Sequence, residues 1–141
     1  MTVIPGAAQV ISLANRRGIP VIEVTNQAGI GSVYYGWKEF IDVEKAPACE
    51  LACSGAVVDG VFACPYHPDG VGRWALPAHP ARKPHPGMVL AAAHLMNPDL
   101  GSSWIVGDKL NDFKAGLQRS SMGALHVLTG HGQEHRRAAL K

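Results

Sequence analysis

The sequence has no apolar run approaching the roughly 20 residues that span a bilayer, and its N-terminus has no basic region leading into a signal core. Its hydrophobic stretches are short and interrupted, so a soluble protein without a membrane partner is expected. Cysteine is scarce. Cys49, Cys53 and Cys64 cannot all pair with one another, and no repeated spacing suggests a disulfide framework, so a reducing cytoplasm fits best. An excess of one charge sign is also missing, since 13 Lys and Arg face 11 Asp and Glu for a formal net charge of +2. That balance argues against a nucleic-acid partner, and the one basic cluster, His135-Arg136-Arg137, reads as a solvated tail. Neither an internal repeat nor a second domain is visible.

Hydrophobic residues make up 47% of the chain and charged residues 17%, a globular rather than a disordered composition. At 141 residues the whole chain, 1–141, reads as one domain able to bury a core. Pro5 and Gly6 open a helix carrying Ala7, Val10, Ile11 and Ala14 at helical spacing, and Gly18 stands where a C-terminal cap belongs. A β-branched strand follows over Ile19 to Val24 and runs into a turn-prone loop. Trp37 to Ala52 reads as a helix interrupted or ended early by Pro47. Val57 to Ala63 is the next strand, and it empties into a long Pro-, Gly- and His-rich loop, Cys64 to Pro86. A helix from Pro86-Gly87 to Leu95 stops at Asn97-Pro98. Strand Trp104 to Val106, helix Leu110 to Arg119 and strand Ala124 to Leu128 complete the series.

Strands and helices thus alternate, which predicts an α/β fold with a parallel sheet covered by helices on both faces. In such sheets ligands bind outside the carboxyl ends of the strands. Two polar clusters fall there, Thr25-Asn26-Gln27 and Gly107-Asp108-Lys109-Leu110-Asn111-Asp112, and Arg82-Lys83-Pro84 can reach the same edge from the long loop. Alone, each has a bland reading as turn, surface tripeptide or helix cap. Their joint order and placement carry the signal.

Taken with Cys64-Pro65-Tyr66-His67-Pro68, these clusters resemble the haloacid dehalogenase (HAD) superfamily. The nearest branch holds the D-glycero-D-manno-heptose bisphosphate phosphatases and their histidinol-phosphatase relatives. The resemblance runs from about Ile4 to about Gly130, and it implies a Rossmann-like three-layer α/β/α domain. It also implies Mg²⁺-dependent hydrolysis of a small phosphorylated metabolite, in which charge spreading over phosphoryl oxygens is met by fixed donors and cations. By that resemblance Thr25 would offer its hydroxyl to the phosphoryl group, with Asn26 and Gln27 placing the substrate. Lys83 would neutralise the crowded charge, and Arg82 would take a second anion bidentately. Asp108 would hold Mg²⁺. Lys109 would face the substrate, and Asp112 would support the metal or orient Lys83.

Two departures from the family accompany the match. Relatives with a structural zinc in the long loop use Cys-x-His and Cys-x-Cys, whereas here only Cys64, His67 and His79 could converge, so zinc is not favoured. The second departure is the absence of Asp-x-Asp-Gly-Thr, the segment that carries nucleophile and acid/base in the family, from all 141 residues. That segment ends the central strand of the family's sheet. A domain lacking this strand is expected, its two inner edges left bare unless the neighbours close up. The preferred explanation is a fragment or a late start, shortened at the C-terminus as well, over a natural short form. Two functions follow: a phosphatase whose isolated 141 residues are inactive, or a non-catalytic phosphate-binding or interaction module.

Overall fold

The structure is a computed structural model that describes residues 2–117 and 123–139. The described residues form six α-helices and four strands, with at least one helix between successive strands. Helix α1 (Ala7–Arg16) closes through Gly18, whose φ of 69° belongs to the left-handed region, so that Gly18 N–H reaches Asn15 O and Ile19 N–H reaches Ala14 O. Asn15 then clamps the lead-in to the second strand, donating to Val57 O and accepting from Val57 N–H.

Strand β1 (Ile22–Asn26) starts later than the sequence suggests. Val21 exchanges hydrogen bonds with Asp59, its C=O receiving the Asp59 N–H but its own N–H going to the Asp59 carboxylate rather than to a backbone carbonyl. A single turn, α2 (Ala28–Gly31), follows, where only a loop was expected. Helix α3 (Trp37–Cys53) contains Pro47 without stopping there. The carbonyl of Val43 that this proline leaves unpaired belongs to an exposed residue, and Phe40 and Leu51 are buried on either side of the break, so packing anchors both halves.

Strand β2 (Gly60–Cys64) pairs with β1 in parallel, from Ile22 opposite Gly60 to Asn26 opposite Cys64. Helix α4 (Gly87–Met96) ends at Asn97 in the left-handed conformation. Strand β3 (Trp104–Gly107) and strand β4 (Gly123–His126) form a second parallel pair, with helix α5 (Leu110–Leu117) between them in sequence. The last two positions of the helix expected to reach Arg119 lie outside the described residues. Val89 of α4, Ile105 of β3 and Phe113 of α5 pack into one core with Leu100 and Leu110 around it. Gly116 lets α5 lie close on β3, because a Cβ there would stand 2.8 Å from Ile105. The cluster expected as a solvated tail lies in a helix, α6 (Gly132–Ala139), with Arg136 and Arg137 exposed and His135 half-buried.

The α/β architecture with parallel strands is as the sequence indicated, but the four strands form two separate two-stranded sheets. Successive strand residues turn their backbone groups to opposite edges. Gln27 N–H donates to Cys64 O and Val21 O accepts from Asp59, which turns the odd positions of β1 toward β2. Val24 faces the other edge, where its carbonyl accepts the Lys83 ammonium at 2.7 Å. Likewise Gly123 N–H to Ser103 O and Val127 N–H to Gly107 O turn the odd positions of β3 toward β4, leaving Trp104 and Val106 on the opposite edge. Among the described residues no ladder joins β1 to β3, so these inner edges do not close up.

Candidate active site

The carboxyl ends of β1 and β3 border one cavity of about 510 Å³. Thr25 and Asn26 line it from β1, Arg82 and Lys83 from the long loop, Asp108 and Lys109 from the β3–α5 turn, and Asp112 from the first turn of α5. Three segments far apart in sequence therefore meet at the carboxyl ends of strands from two sheets. Gln27 lies just outside, its amide donating to Thr25 Oγ1 at 3.0 Å.

Lys83 is the hub. Its ammonium stands 2.8 Å from Asp112 Oδ1 and donates to Val24 O. Its main chain is gripped by Asn26, which accepts from Lys83 N–H at 3.0 Å and donates to Lys83 O at 3.1 Å. The Asn26 carboxamide, expected on the substrate, is thus engaged in holding the loop. Asp112 has both oxygens occupied, Oδ1 by Lys83 and Oδ2 by the Lys109 N–H. Gly107 makes this possible, since a Cβ there would overlap the Asp112 side chain. Arg82 donates to Tyr66 O at 2.9 Å while lining the cavity.

Asp108 Oδ2 accepts the His131 N–H at 2.8 Å. Burial raises the Asp108 carboxyl pKa, but the His131 N–H, its own N–H and the charges of Lys109 and His131 outweigh this, leaving it below the ordinary value. The group is therefore ionised at neutral pH, with its Oδ2 held by the His131 N–H. An ionised carboxylate beside a polar basin suits Mg²⁺, which takes one or two carboxylates and fills its octahedron with water and substrate oxygens.

The long loop is ordered by stacking. Tyr66 lies on His79 with ring centroids 3.7 Å apart, leans on Trp74 at 5.3 Å, and Arg73 covers the Trp74 ring. Among the described residues no three His, Cys, Asp or Glu side chains gather as a structural zinc would require. Cys64 is fully buried and its thiol pKa is raised by that burial. His67 Nδ1 accepts from Asp69 N–H, and His79 Nδ1 accepts from Ala81 N–H.

The sequence reading missed Tyr35, whose hydroxyl donates to Gln27 Oε1 at 2.7 Å, and the Gly130-His131 turn on Asp108. Thr129-Gly130 after a strand was the available signal for the turn. Nothing near Tyr35 marked it.

Residues 80–141 match the family model described as HAD-hydrolase-like. The chain is 49% identical over 112 residues to the D-glycero-beta-D-manno-heptose-1,7-bisphosphate 7-phosphatase of Mesorhizobium japonicum, covering 79% of this chain and 52% of that protein. It is 33% identical over 127 residues to the enzyme of that name from Pasteurella multocida, covering 90% of this chain and 68% of the relative. The crystal structure of D,D-heptose 1,7-bisphosphate phosphatase from B. bronchiseptica, complexed with magnesium and phosphate, superposes with a TM-score of 0.81 at 28% identity, over 96% of this chain and 71% of that one. The chain belongs to the HAD-like hydrolases, in the family of the D-glycero-D-manno-heptose-1,7-bisphosphate 7-phosphatases. It spans about half the length of the Mesorhizobium relative. Among the described residues no helix is long and apolar enough to cross a membrane.

Proposed function

We propose that these residues form the phosphate- and metal-binding part of a phosphomonoesterase site for a small phosphorylated sugar, of the heptose bisphosphate kind, in a cytoplasmic protein. The observation that carries this is the convergence of Thr25, Lys83, Asp108 and Asp112 on one cavity at the carboxyl ends of β1 and β3. Thr25 donates its hydroxyl to a phosphoryl oxygen. Lys83 supplies positive charge where anions crowd, and Asp112 holds it there, which favours orientation of Lys83 over direct support of a metal. Asp108 binds Mg²⁺, which when present neutralises phosphoryl charge. Arg82 and Lys109 take the remaining anionic or hydroxyl groups of the substrate, and Asn26 and Gln27 keep Lys83 and Thr25 in place.

None of the six aspartates stands in an Asp-x-Asp setting. On this reading the attacking carboxylate would be supplied by a strand placed between β1 and β3, and the 141 residues alone would bind without turning over. With Mg²⁺ the purified chain is expected to hydrolyse neither a heptose bisphosphate nor an aryl phosphate. Joining an Asp-x-Asp-Gly-Thr strand ahead of Met1 is expected to start turnover. Turnover by the bare chain that vanishes in Asp108→Asn sinks this reading. Calorimetric binding of phosphosugar without turnover, unchanged after the strand is joined, would favour a non-catalytic phosphate-binding module.

A further inference from the structure

Two hydrogen bonds lead to Thr25, which lines the cavity, from residues that do not. Tyr35 Oη lies 2.7 Å from Gln27 Oε1, and Gln27 Nε2 lies 3.0 Å from Thr25 Oγ1. A carboxamide oxygen only accepts and its nitrogen only donates, so in this arrangement Tyr35 donates and the Thr25 oxygen accepts. The Thr25 proton is then free to point into the cavity.

The flipped amide would do the opposite. Its oxygen would take the Thr25 proton, and its nitrogen would donate to the phenol oxygen. The orientations differ at Tyr35, because a phenol is a good donor and, with its lone pair delocalised into the ring, a weak acceptor. Tyr35 therefore selects the amide orientation that leaves Thr25 a donor. Its ring is held in place against Gly29, where an added Cβ would overlap the ring. Tyr34 N–H to Gly29 O at 2.9 Å and Val33 at a φ of 60° shape the turn that brings it back over β1.

We propose that Tyr35 is a positioning residue which, through Gln27, holds the Thr25 hydroxyl as a hydrogen-bond donor to an anion in the cavity. The proposal rests on the reading of the cavity as a phosphate site. A phenylalanine at position 35 keeps the ring and frees the amide to turn, so Thr25 divides its proton between Gln27 and the ligand.

The test is calorimetry with inorganic phosphate on the full chain, paired with nuclear magnetic resonance of the side-chain amides. Tyr35→Phe is expected to weaken phosphate about three- to tenfold, the worth of one neutral hydrogen bond. In a Thr25→Val background the same change is expected to alter affinity less than twofold. Equal weakening in both backgrounds, or none in either, overturns the proposal. The Gln27 amide protons are expected to exchange with water more slowly than those of exposed Gln9, and to lose that protection in Tyr35→Phe. If the parent chain binds no phosphate, the cavity reading fails, and the Gln27 protons still judge the relay: exchange as fast as Gln9 in the parent overturns it.

Discussion

The Lys83 ammonium lies 2.8 Å from Asp112 Oδ1, with side-chain exposures of 15% and 11%. The ion pair bridges the long loop to α5 and therefore one two-stranded sheet to the other. Val24 O and Lys109 N–H complete it, which gives a half-buried charge pair the extra hydrogen bonds it needs to be stable.

Removing one partner leaves the other charge poorly solvated. Lys83→Met is expected to cost about 2–4 kcal/mol in urea unfolding, discounted from a fully buried pair for its residual exposure. Asp112→Asn, which keeps an acceptor for Lys109, should cost roughly half as much. The double variant should lose at least about 1 kcal/mol less than the sum of the two. Additive losses would mean that the pair contributes no coupling.

Asp108→Asn retains an oxygen for the His131 N–H but loses the charge. Stability is expected to change by less than about 1 kcal/mol, the scale of one hydrogen bond, while Mg²⁺ affinity measured by calorimetry falls at least tenfold. Unchanged Mg²⁺ binding would remove Asp108 as the ligand.

Gly130 has a φ of 59° and sits against the Asp108 carboxylate, where a Cβ would overlap Oδ2. Gly130→Ala is expected to destabilise by about 1–2 kcal/mol from the backbone conformation alone. It should also weaken Mg²⁺ more than the stability loss explains, because the carboxylate has to move. Thermal melting with and without Mg²⁺ separates the two effects: an Mg²⁺-induced rise in Tm equal to the parent's would refute the second.

Glu23 on β1 has its pKa raised, first by burial and then by Glu44, with Lys83 opposing. A carboxyl whose folded pKa exceeds its unfolded value contributes stability that is present below the unfolded value and lost as pH rises through the folded one. Glu23→Gln is therefore expected to raise Tm at pH 7 by roughly 1–3 °C. The gain should shrink as pH falls toward about 4, the ordinary range of the group. A gain independent of pH would point to packing rather than charge.

Much of this was legible along the chain. Apolar periodicity and Gly or Asn at helix ends placed α1, α4 and the strands, because capping and burial act within a few residues. Boundaries slipped where a distant partner decided them, as when Asn15 held Val57 and Asp59 held Val21 outside the ladder. Pro47 misled for the same reason: buried Phe40 and Leu51 outweigh one missing backbone bond.

The sequence by itself determined the family, the parallel α/β pattern and the candidates Thr25, Lys83 and Asp108, since each is written in local spacing and in the order of short motifs. Only the tertiary structure decided what each polar group faces. Asn26 turned to the Lys83 backbone, Asp112 to the Lys83 ammonium and Gln27 to Tyr35 and Thr25, while β1 and β3 stayed apart. A hydrogen bond needs its partner within about 3 Å, and that closeness is set by the packing of segments up to some sixty residues apart, which no local pattern records.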